Sequence, residues 1–410
     1  MRNRSLLVLT AIAATGTLTL TACGSRASSN NSGGGGGSTT VTIGVDAPLT
    51  GSLSALGLGI QNSVDLAIKN ANKTNEVPGV TFKIEALDDK KSPQQGQQNA
   101  TTLVADASVL GVVGPLNSSV AGSMQKVFND ANLVEVSPAN TGVPLTQGPD
   151  WAKGVKVRPF KSYFRTATTD AIQGPFAASY AYSDLGKKKV YLVDNQLAYG
   201  VGLVGTFKDE FTKLGGTVAG QDHVVDGASD YSATVAKIKA SGADFVYFGG
   251  EYPDSGPLTK QLKDAGVNIP LIGGDGMFDP KYIDLAQGKA EGDFATSVGA
   301  PVESLDSAKK FISDYTAAGY KDPYAAYGGY SYDSAWAIIE AVKAVVAGNN
   351  GKLPSNPRAA IEAAMANVNF SGVTGTVSFD QYGDATNKQL TVYGVKGGKW
   401  VAIKSGSFTG

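Results

Sequence analysis

The stretch Val112–Thr141, VVGPLNSSVAGSMQKVFNDANLVEVSPANT, decides the fold. Two valines end an apolar run that breaks at a Gly-Pro pair, and polar residues suited to a helix N-cap follow at Asn117–Ser119. The pattern predicts a helix to about Asn132 and a strand over 133–136. A second polar loop, 137–141, then leaves that strand at the same end of the sheet.

The two polar loops would suit a small anion such as a carboxylate. Each follows a strand end and would present hydroxyls and backbone N–H groups, and the first lies at a helix N-terminus, where the helix dipole favours negative charge. Ordinary helix capping plus an ordinary turn explains the same residues, because serine caps are common. This stretch alone leaves both interpretations open.

Length and composition narrow the function classes. The chain has 410 residues and is 42% hydrophobic, which is enough for two domains. Its formal net charge of −1 gives no basis for binding nucleic acid. The single histidine, His223, has no catalytic or metal-binding motif around it, and we expect it in a surface loop. The single cysteine, Cys23, excludes an intrachain disulfide.

The N-terminal segment has the features of an export signal. Arg2 and Arg4 precede an apolar stretch over 6–21, which ends in Leu20-Thr21-Ala22-Cys23. This ending resembles the bacterial lipobox, in which the signal peptidase cuts before the cysteine and a diacylglycerol is attached to its thiol. We therefore predict that residues 1–22 are a lipoprotein signal peptide and that Cys23 is lipidated. A plain secretory signal with an incidental cysteine is the alternative.

Residues 23–40 are rich in Gly and Ser and lack large apolar side chains, so they predict a flexible tether. A lipid anchor followed by a tether and a globular body describes an extracytoplasmic protein that is held at the outer face of the cell membrane.

From Val41 onward, predicted strands alternate with helices, which favours an α/β fold with parallel sheets covered on both faces. The plan of strand, polar or Gly-rich loop, helix and strand starts again near Phe164. Because ligands of open parallel sheets sit at the carboxyl ends of strands, two such lobes facing each other would enclose a binding cleft. Near the C-terminus, 373–379 and 388–395 are predicted as two strands with hairpin-like spacing, and 400–403 follows them.

Several stretches, in order, resemble one family. TIGVDAPLTG, VVGPLNSS, EVSPANT, FRTATTD, DYSATVAKIKASGADFVYFGG and LIGGDG are similar to segments of periplasmic-binding-protein type I solute receptors, specifically the branched-chain amino-acid (Leu/Ile/Val) binding proteins of ABC importers. The resemblance covers roughly Val41–Lys404. It implies two Rossmann-like lobes with parallel sheets, joined by three crossover strands and closing on a ligand by a hinge, the Venus-flytrap arrangement.

The resemblance also implies domain boundaries. Lobe 1 would comprise 41–164 and 298–388, and lobe 2 would comprise 167–295 and 391–410. The three crossovers would lie near Arg165-Thr166, Thr296–Val298 and Lys388–Thr391.

In the family, a Ser and a Thr hydroxyl of the first lobe clamp the α-carboxylate of the ligand, and Ser118 and Thr141 match these positions. The carbonyl of Ala139 would accept from the ligand's α-ammonium, and Asp275 of the second lobe would pair with that ammonium. These assignments agree with the physics, because a carboxylate and an ammonium are costly to bury without such partners.

By the same resemblance, Tyr199 would close over the ligand and Tyr327 would complete the pocket. Leu56 and Glu251 depart from the family pattern, since receptors for Leu, Ile and Val can carry Tyr there. A carboxylate facing a bound leucine side chain is costly unless paired, so Glu251 suggests a polar or cationic ligand side chain, or a ligand that is not an α-amino acid. Alternatively, Glu251 points to solvent. The predicted ligand-binding residues are Leu56, Asn117, Ser118, Ser119, Ala139, Asn140, Thr141, Tyr199, Glu251, Asp275 and Tyr327.

The expected partners are a small-molecule solute, an amino acid or something similar, and the permease and ATPase subunits of an ABC importer, with the receptor itself a monomer. No cofactor, metal or catalysis is expected. Gly249-Gly250 and Gly273-Gly274 match no nucleotide-binding motif. The adjacent Asp88-Asp89 would point in opposite directions and better suit a turn or a hinge hydrogen bond than an acid/base pair. A sensor or receptor lipoprotein of the same fold, binding an amide, urea or another small polar solute, is the alternative.

Overall fold

The computed structural model describes residues 38–408. The predicted signal peptide, the predicted lipidation site Cys23 and most of the predicted tether therefore lie outside the described residues. The first strand, β1, begins at Thr39, two residues before the predicted start of the globular body.

Strands and helices alternate through most of the described chain. The strands are β1 Thr39–Ala47, β2 Val80–Asp88, β3 Val109–Val113, β4 Val134–Ser137, β5 Tyr163–Arg165, β6 Lys189–Asp194, β7 Thr217–His223, β8 Phe245–Gly249, β9 Leu271–Gly273, β10 Phe294–Val298, β11 Asn369–Gly372, β12 Gly375–Ser378, β13 Gln389–Lys396 and β14 Lys399–Ser407. The helices are α1 Ser54–Thr74, α2 Pro93–Ala105, α3 Ser118–Asp130, α4 Pro144–Gln147, α5 Asp170–Ser179, α6 Ala198–Lys213, α7 Ser232–Ser241, α8 Tyr252–Asp264, α9 Pro280–Leu285, α10 Lys309–Ala318, α11 Gly328–Gly348 and α12 Pro357–Met365.

The first sheet has the order β2-β1-β3-β4-β5, and all its strands are parallel. Every residue of β3 and β4 is buried, as expected for central strands covered by helices on both faces. On one face, Leu103 of α2 and Met124 and Phe128 of α3 form an apolar cluster with the sheet, and α1 and α11 pack on the other face. We call this sheet with its helices the first body.

The second sheet has the order β14-β13-β10-β9-β8-β6-β7. Its strands from β6 to β10 are parallel, and β13 and β14 are antiparallel to them or to each other. We call this sheet with its helices the second body. The chain passes between the bodies after β5, after β10 and before β13. The α/β fold with two mostly parallel sheets is confirmed, whereas the lobe boundaries stay a prediction.

The predicted hairpin of 373–379 with 388–395 is wrong. β11 pairs instead with β12 through the two-residue turn Val373-Thr374, and β13 pairs with β10 and β14. Gly375, the first residue of β12, has a φ of 109°, which favours glycine. β14 is also longer than the predicted 400–403. Gly397 and Gly398, both with positive φ, form the two-residue turn between β13 and β14, a glycine pair that favours hairpins.

Arg165, at the end of β5, is fully buried and joins β5 to the loop that follows β4. Its Nε donates to Asp384 Oδ1 at 2.6 Å, and its Nη1 donates to the carbonyls of Asn140 and Gly142 at 3.0 and 2.9 Å. Burial raises the pKa of Asp384, but Arg165 outweighs this effect and holds that pKa below its usual value. The pair therefore fixes the loop 137–141 against the sheet.

We expect Asp384→Asn to lower the free energy of unfolding by roughly 3 kcal/mol, because it leaves a buried guanidinium without its counter-charge. Urea unfolding followed by circular dichroism measures the change. Asp130→Asn is the matched control, since the Asp130–Lys126 pair is exposed and its loss should not be measurable. Equal effects of both variants would contradict the role given to Arg165.

Candidate functional site

The carboxyl ends of strands from both sheets meet around one small cavity. Its volume is about 10 Å³, which holds about one water molecule. From the first body it is lined by Leu116, Asn117, Ser118, Ala139 and Tyr327, and from the second body by Tyr199, Glu251, Asp275 and Gly276. Seven of the eleven predicted ligand-binding residues line this cavity: Asn117, Ser118, Ala139, Tyr199, Glu251, Asp275 and Tyr327.

Two polar residues at the start of α3, Asn117 and Ser119, form hydrogen bonds across the cleft. Asn117 is the N-cap residue, yet its side chain caps no backbone N–H, and its Nδ2 donates to Glu251 Oε1 at 2.8 Å. Ser119 Oγ accepts from the backbone N–H of Ala198, the first residue of α6, at 3.2 Å. The ordinary capping interpretation is therefore wrong for Asn117.

Ser118 and Ala139, the latter in the loop 137–141, form the floor of the cavity, whereas Ser119 and Thr141 do not line it. Ser118 Oγ accepts from Gly142 N at 3.3 Å, and the buried Thr141 hydroxyl has no hydrogen-bond partner among residues 38–408. Asn140 does not line the cavity. Its Nδ2 donates to the Leu116 carbonyl and its Oδ1 accepts from a tyrosine hydroxyl, so it shapes the loop from behind.

Asp275 is buried and accepts hydrogen bonds from both bodies. Its Oδ1 accepts from the Tyr199 hydroxyl at 2.7 Å and from Gln173 Nε2 at 3.0 Å, and its Oδ2 accepts from the Tyr327 hydroxyl at 2.8 Å. Burial raises the pKa of Asp275, and these donors offset part of the rise. Burial also raises the pKa of both tyrosines well above the usual value, so they remain hydroxyl donors.

Glu251 is only 2% exposed, so the alternative that it points to solvent is wrong. Its Oε2 accepts from Lys91 Nζ at 3.1 Å and from Asn195 Nδ2 at 2.9 Å. Lys91 comes from the first body, and Glu251 is the N-cap residue of α8 in the second. The hypothesis of a cationic ligand side chain assumed that Glu251 has no counter-charge in the protein. Because Lys91 pairs with Glu251, a cationic ligand is not needed to neutralise it.

Lys91 also bonds Asp226, and Asp254 lies beside both acids. One carboxylate oxygen from each of Asp226, Glu251 and Asp254 lies within 4.8 Å of the others, a spacing that could hold a metal ion. The Lys91 ammonium already bonds two of these acids, so we assign no metal there. Burial lowers the pKa of Lys91, but Glu251 and Asp226 outweigh it, and its pKa is raised. We call these four residues the Lys91 latch.

Other predicted residues lie outside the cavity. Leu56 is 1% exposed in the core side of α1 and does not line the cavity. Asp88 accepts from the backbone of Leu49 and Lys90 and thus holds a turn, as predicted. His223 ends β7 with its side chain half exposed and bonded to an aspartate, and so is not in a loop.

Sequence reasoning missed Lys91 and Gln173. Lys91 follows the carboxyl end of β2, the end of the sheet at which ligands are expected, and this position was a usable signal. Its direction into the cleft depends on the left-handed backbone of Lys90 and Lys91, with φ of 54° and 61°, which lysine rarely adopts and the sequence does not reveal. Gln173 lies three residues after the stretch FRTATTD, and no rule of spacing singled it out.

Comparison with known proteins gives one consistent family. A family model described as periplasmic binding protein matches residues 40–399. The Leu/Ile/Val-binding protein BraC3 of Rhizobium johnstonii is 31% identical over 364 residues, covering 89% of this chain and 94% of that protein.

Two solved structures agree in fold. A leucine binding protein, LivK, from Thermotoga maritima MSB8 has a TM-score of 0.78 at 26% identity, covering 89% of this chain and 98% of that chain. The branched-chain amino acid transporter substrate binding protein LivJ from Streptococcus pneumoniae, in complex with isoleucine, has a TM-score of 0.76 at 25% identity, covering 90% and 99%.

We expect Lys91→Met to separate the two bodies. Without the ammonium, closing the cleft would bury the Glu251 carboxylate without its counter-charge and beside the Asp254 carboxylate, which should disfavour the closed arrangement by roughly 2 kcal/mol or more. Spin labels at Thr102 on α2 and Ala236 on α7 would report the distance. Lys90→Met is the control, because Lys90 is exposed. Distances that are the same in both variants and in the wild type would rule out the latch.

We expect Asp170→Asn to remove a pH dependence of stability. Both carboxylate oxygens of Asp170 are buried without a hydrogen-bond partner among residues 38–408, and burial, followed by the nearby Asp275, raises the pKa of Asp170 to about 8. The native state therefore keeps a proton that the unfolded chain releases above about pH 4, so the wild type loses stability as pH rises from about 4 to 8.

The difference in unfolding free energy between Asp170→Asn and the wild type should thus grow with pH, to a few kcal/mol near pH 8.5. Urea unfolding at pH 5 and pH 8.5 measures it. The exposed Asp209→Asn should show no such growth. A difference that is constant with pH would mean that Asp170 titrates normally.

Proposed function

We propose that this chain, which belongs to the periplasmic binding protein family, is an extracytoplasmic receptor for an amino acid or a similar small solute. It would deliver this solute to the permease and ATPase subunits of an ABC importer. The names of its relatives, which refer to binding or transport of leucine, isoleucine and valine, support this class of solute.

The observation that carries the proposal is an anion-binding element and a buried acid on opposite sides of one cavity. Ser118 and the start of α3 lie on one side, where the first amides of a helix have no partner within it and favour a carboxylate. Asp275 and the carbonyl-bearing Ala139 lie where an ammonium would find acceptors. A zwitterionic α-amino acid satisfies both ends. The buried Thr141 hydroxyl, which has no hydrogen-bond partner among residues 38–408, lies two residues after Ala139 and offers a further polar group.

A solute enters only if the two bodies separate, because the cavity holds about one water molecule. The bonds from Asn117 to Glu251 and from Ala198 to Ser119 span the cleft and have to break. A solute that contacts both bodies stabilises their closed arrangement in return. The permease would then distinguish the loaded receptor by the relative position of its two bodies.

The side chain of the solute would meet a polar wall. Asn117 and Glu251 are bonded to each other there, with Leu116 beside them. A large aliphatic side chain would break that bond and leave its groups buried without partners, so we propose a small or polar side chain. A cationic one is not required, because Lys91 already pairs with Glu251.

Attachment to the membrane would depend on Cys23. We propose that its lipid and the tether that follows it hold a monomeric receptor at the outer face of the cell membrane. Among residues 38–408, the structure has no helix that is both long enough and apolar enough to cross a bilayer.

We expect Ser118→Ala and Thr141→Ala each to weaken solute binding by roughly 1–3 kcal/mol, since each would leave a bound carboxylate short of a donor. A thermal-shift panel of amino acids, amides, urea, polyamines and nucleobases identifies the solute, and calorimetry then measures its affinity. Thr101→Ala, an exposed site on α2, is the control and should bind as the wild type does.

Unchanged affinity in both site variants would refute the placement of the carboxylate. Glu251→Gln tests the side-chain wall with leucine as the probe. Tight binding of leucine that is unaffected by Glu251→Gln would refute the preference for a small or polar side chain, while leaving the receptor role intact. Recovery of a chemically altered solute would refute a binding role without catalysis.

A further inference from the structure

A second and much larger cavity lies between the two bodies. Its volume is about 550 Å³, and it shares no lining residue with the small cavity at Asp275. The first body contributes Ala55 of α1 and the loop Asp322–Ala326, and the second body contributes Phe278 to Lys281, Tyr393 and Trp400. We call this cavity the hinge groove, because residues just after β10, where the chain passes between the bodies, also line it.

Aromatic side chains form much of the wall of the hinge groove. Phe278 stacks on Tyr393 with a ring separation of 3.9 Å and meets Trp400 edge to face at 5.7 Å. Tyr324 faces them from the first body, and its hydroxyl donates to Glu303 at 2.6 Å. Such a set of rings provides the faces that attract both apolar groups and cations.

The lining of the groove carries an excess of acid. It includes four carboxylates and one ammonium, that of Lys281, and the nearest partner of Lys281 is Asp284 at 3.5 Å. The four carboxylates belong to Asp279, Asp284, Glu303 and Asp322. A ligand with positive charge therefore fits the groove better than an anion does.

Asp279 is the acid that is built into the wall. It is only 4% exposed, and its Oδ1 accepts from Lys281 N at 2.8 Å as the N-cap of α9. None of the Lys, Arg or His side chains among residues 38–408 forms a salt bridge with it. A buried carboxylate beside Phe278 that forms no salt bridge within the described part of the chain matches what an organic ammonium needs, since an ammonium gains from both the charge and the ring faces.

We propose that the hinge groove binds an organic cation with an apolar or aromatic body, its ammonium beside Asp279 and its body among Phe278, Tyr393 and Trp400. This site is distinct from the one that takes the transported solute. Because both bodies line the groove, its ligand favours their closed arrangement and so raises the affinity of the receptor for the solute. The solute raises the affinity for the groove ligand by the same factor.

Phenethylamine and its neutral analogue 2-phenylethanol test the proposal by calorimetry and protein-observed NMR. We expect saturable one-to-one binding of the amine, tighter than that of the alcohol. Asp279→Asn should weaken amine binding by about tenfold or more, the size of a lost charged hydrogen bond, and leave alcohol binding unchanged. Asn caps a helix about as well as Asp, so this variant keeps the start of α9.

Ala55→Trp provides a second test that does not depend on Asp279. A large side chain from α1 fills the groove, so binding of both probes should be lost, while Asp279→Asn should bind the transported solute as the wild type does. The proposal is overturned if amine and alcohol bind equally, if neither variant changes amine binding, or if the amine shifts resonances around Asp275 instead of those around Phe278.

Ser118→Ala separates this proposal from the receptor role. It should leave amine binding in the groove intact while it weakens binding of the transported solute. Loss of amine binding in Ser118→Ala would place the amine in the solute site and overturn the second site alone. If Ser118→Ala changes neither amine binding nor solute binding, the predicted carboxylate clamp is refuted and the proposed groove site is retained.

Discussion

Buried charge at the carboxyl ends of the two sheets determines how the rest of the structure is arranged. Arg165 is fully buried, and its bonds to Asp384 and to the carbonyls of Asn140 and Gly142 hold the loop that forms the cavity floor. Asp275 is equally buried, and hydroxyls from both bodies satisfy it. Such groups are stable only in the geometry that supplies their partners. The same interactions that hold the fold therefore position the site.

The cleft is held closed by two kinds of contact. The Lys91 latch joins the bodies through charge at Glu251, and hydroxyl groups that bond Asp275 join them at Tyr327. A solute that enters between them exchanges some of these bonds for its own. Its net effect on closure is the difference between the two sets, so the affinity of a receptor of this kind depends as much on the bonds it gives up as on those it forms.

The sequence predicted the parts of the fold that depend on local pattern. The strand, helix and strand within Val112–Thr141 and the repeated α/β plan are present, because apolar periodicity and helix-start residues are local signals. The pairing of β13 was not predicted, since two strands close in sequence resemble a hairpin whether or not each has another partner. The side chain of Asn117 has the chemistry of a cap, and only the approach of Glu251 from the other body turns it across the cleft.

The threading of the chain between the bodies has a consequence for biosynthesis. The second sheet starts with β6 and is completed by β13 and β14, close to the C-terminus, after the chain has returned to the first body to form α10, α11 and α12. Neither body corresponds to one continuous segment, so a nascent chain cannot complete the second body until β13 and β14 have left the ribosome. The second body therefore remains incomplete long after its first strand, β6, has been synthesised.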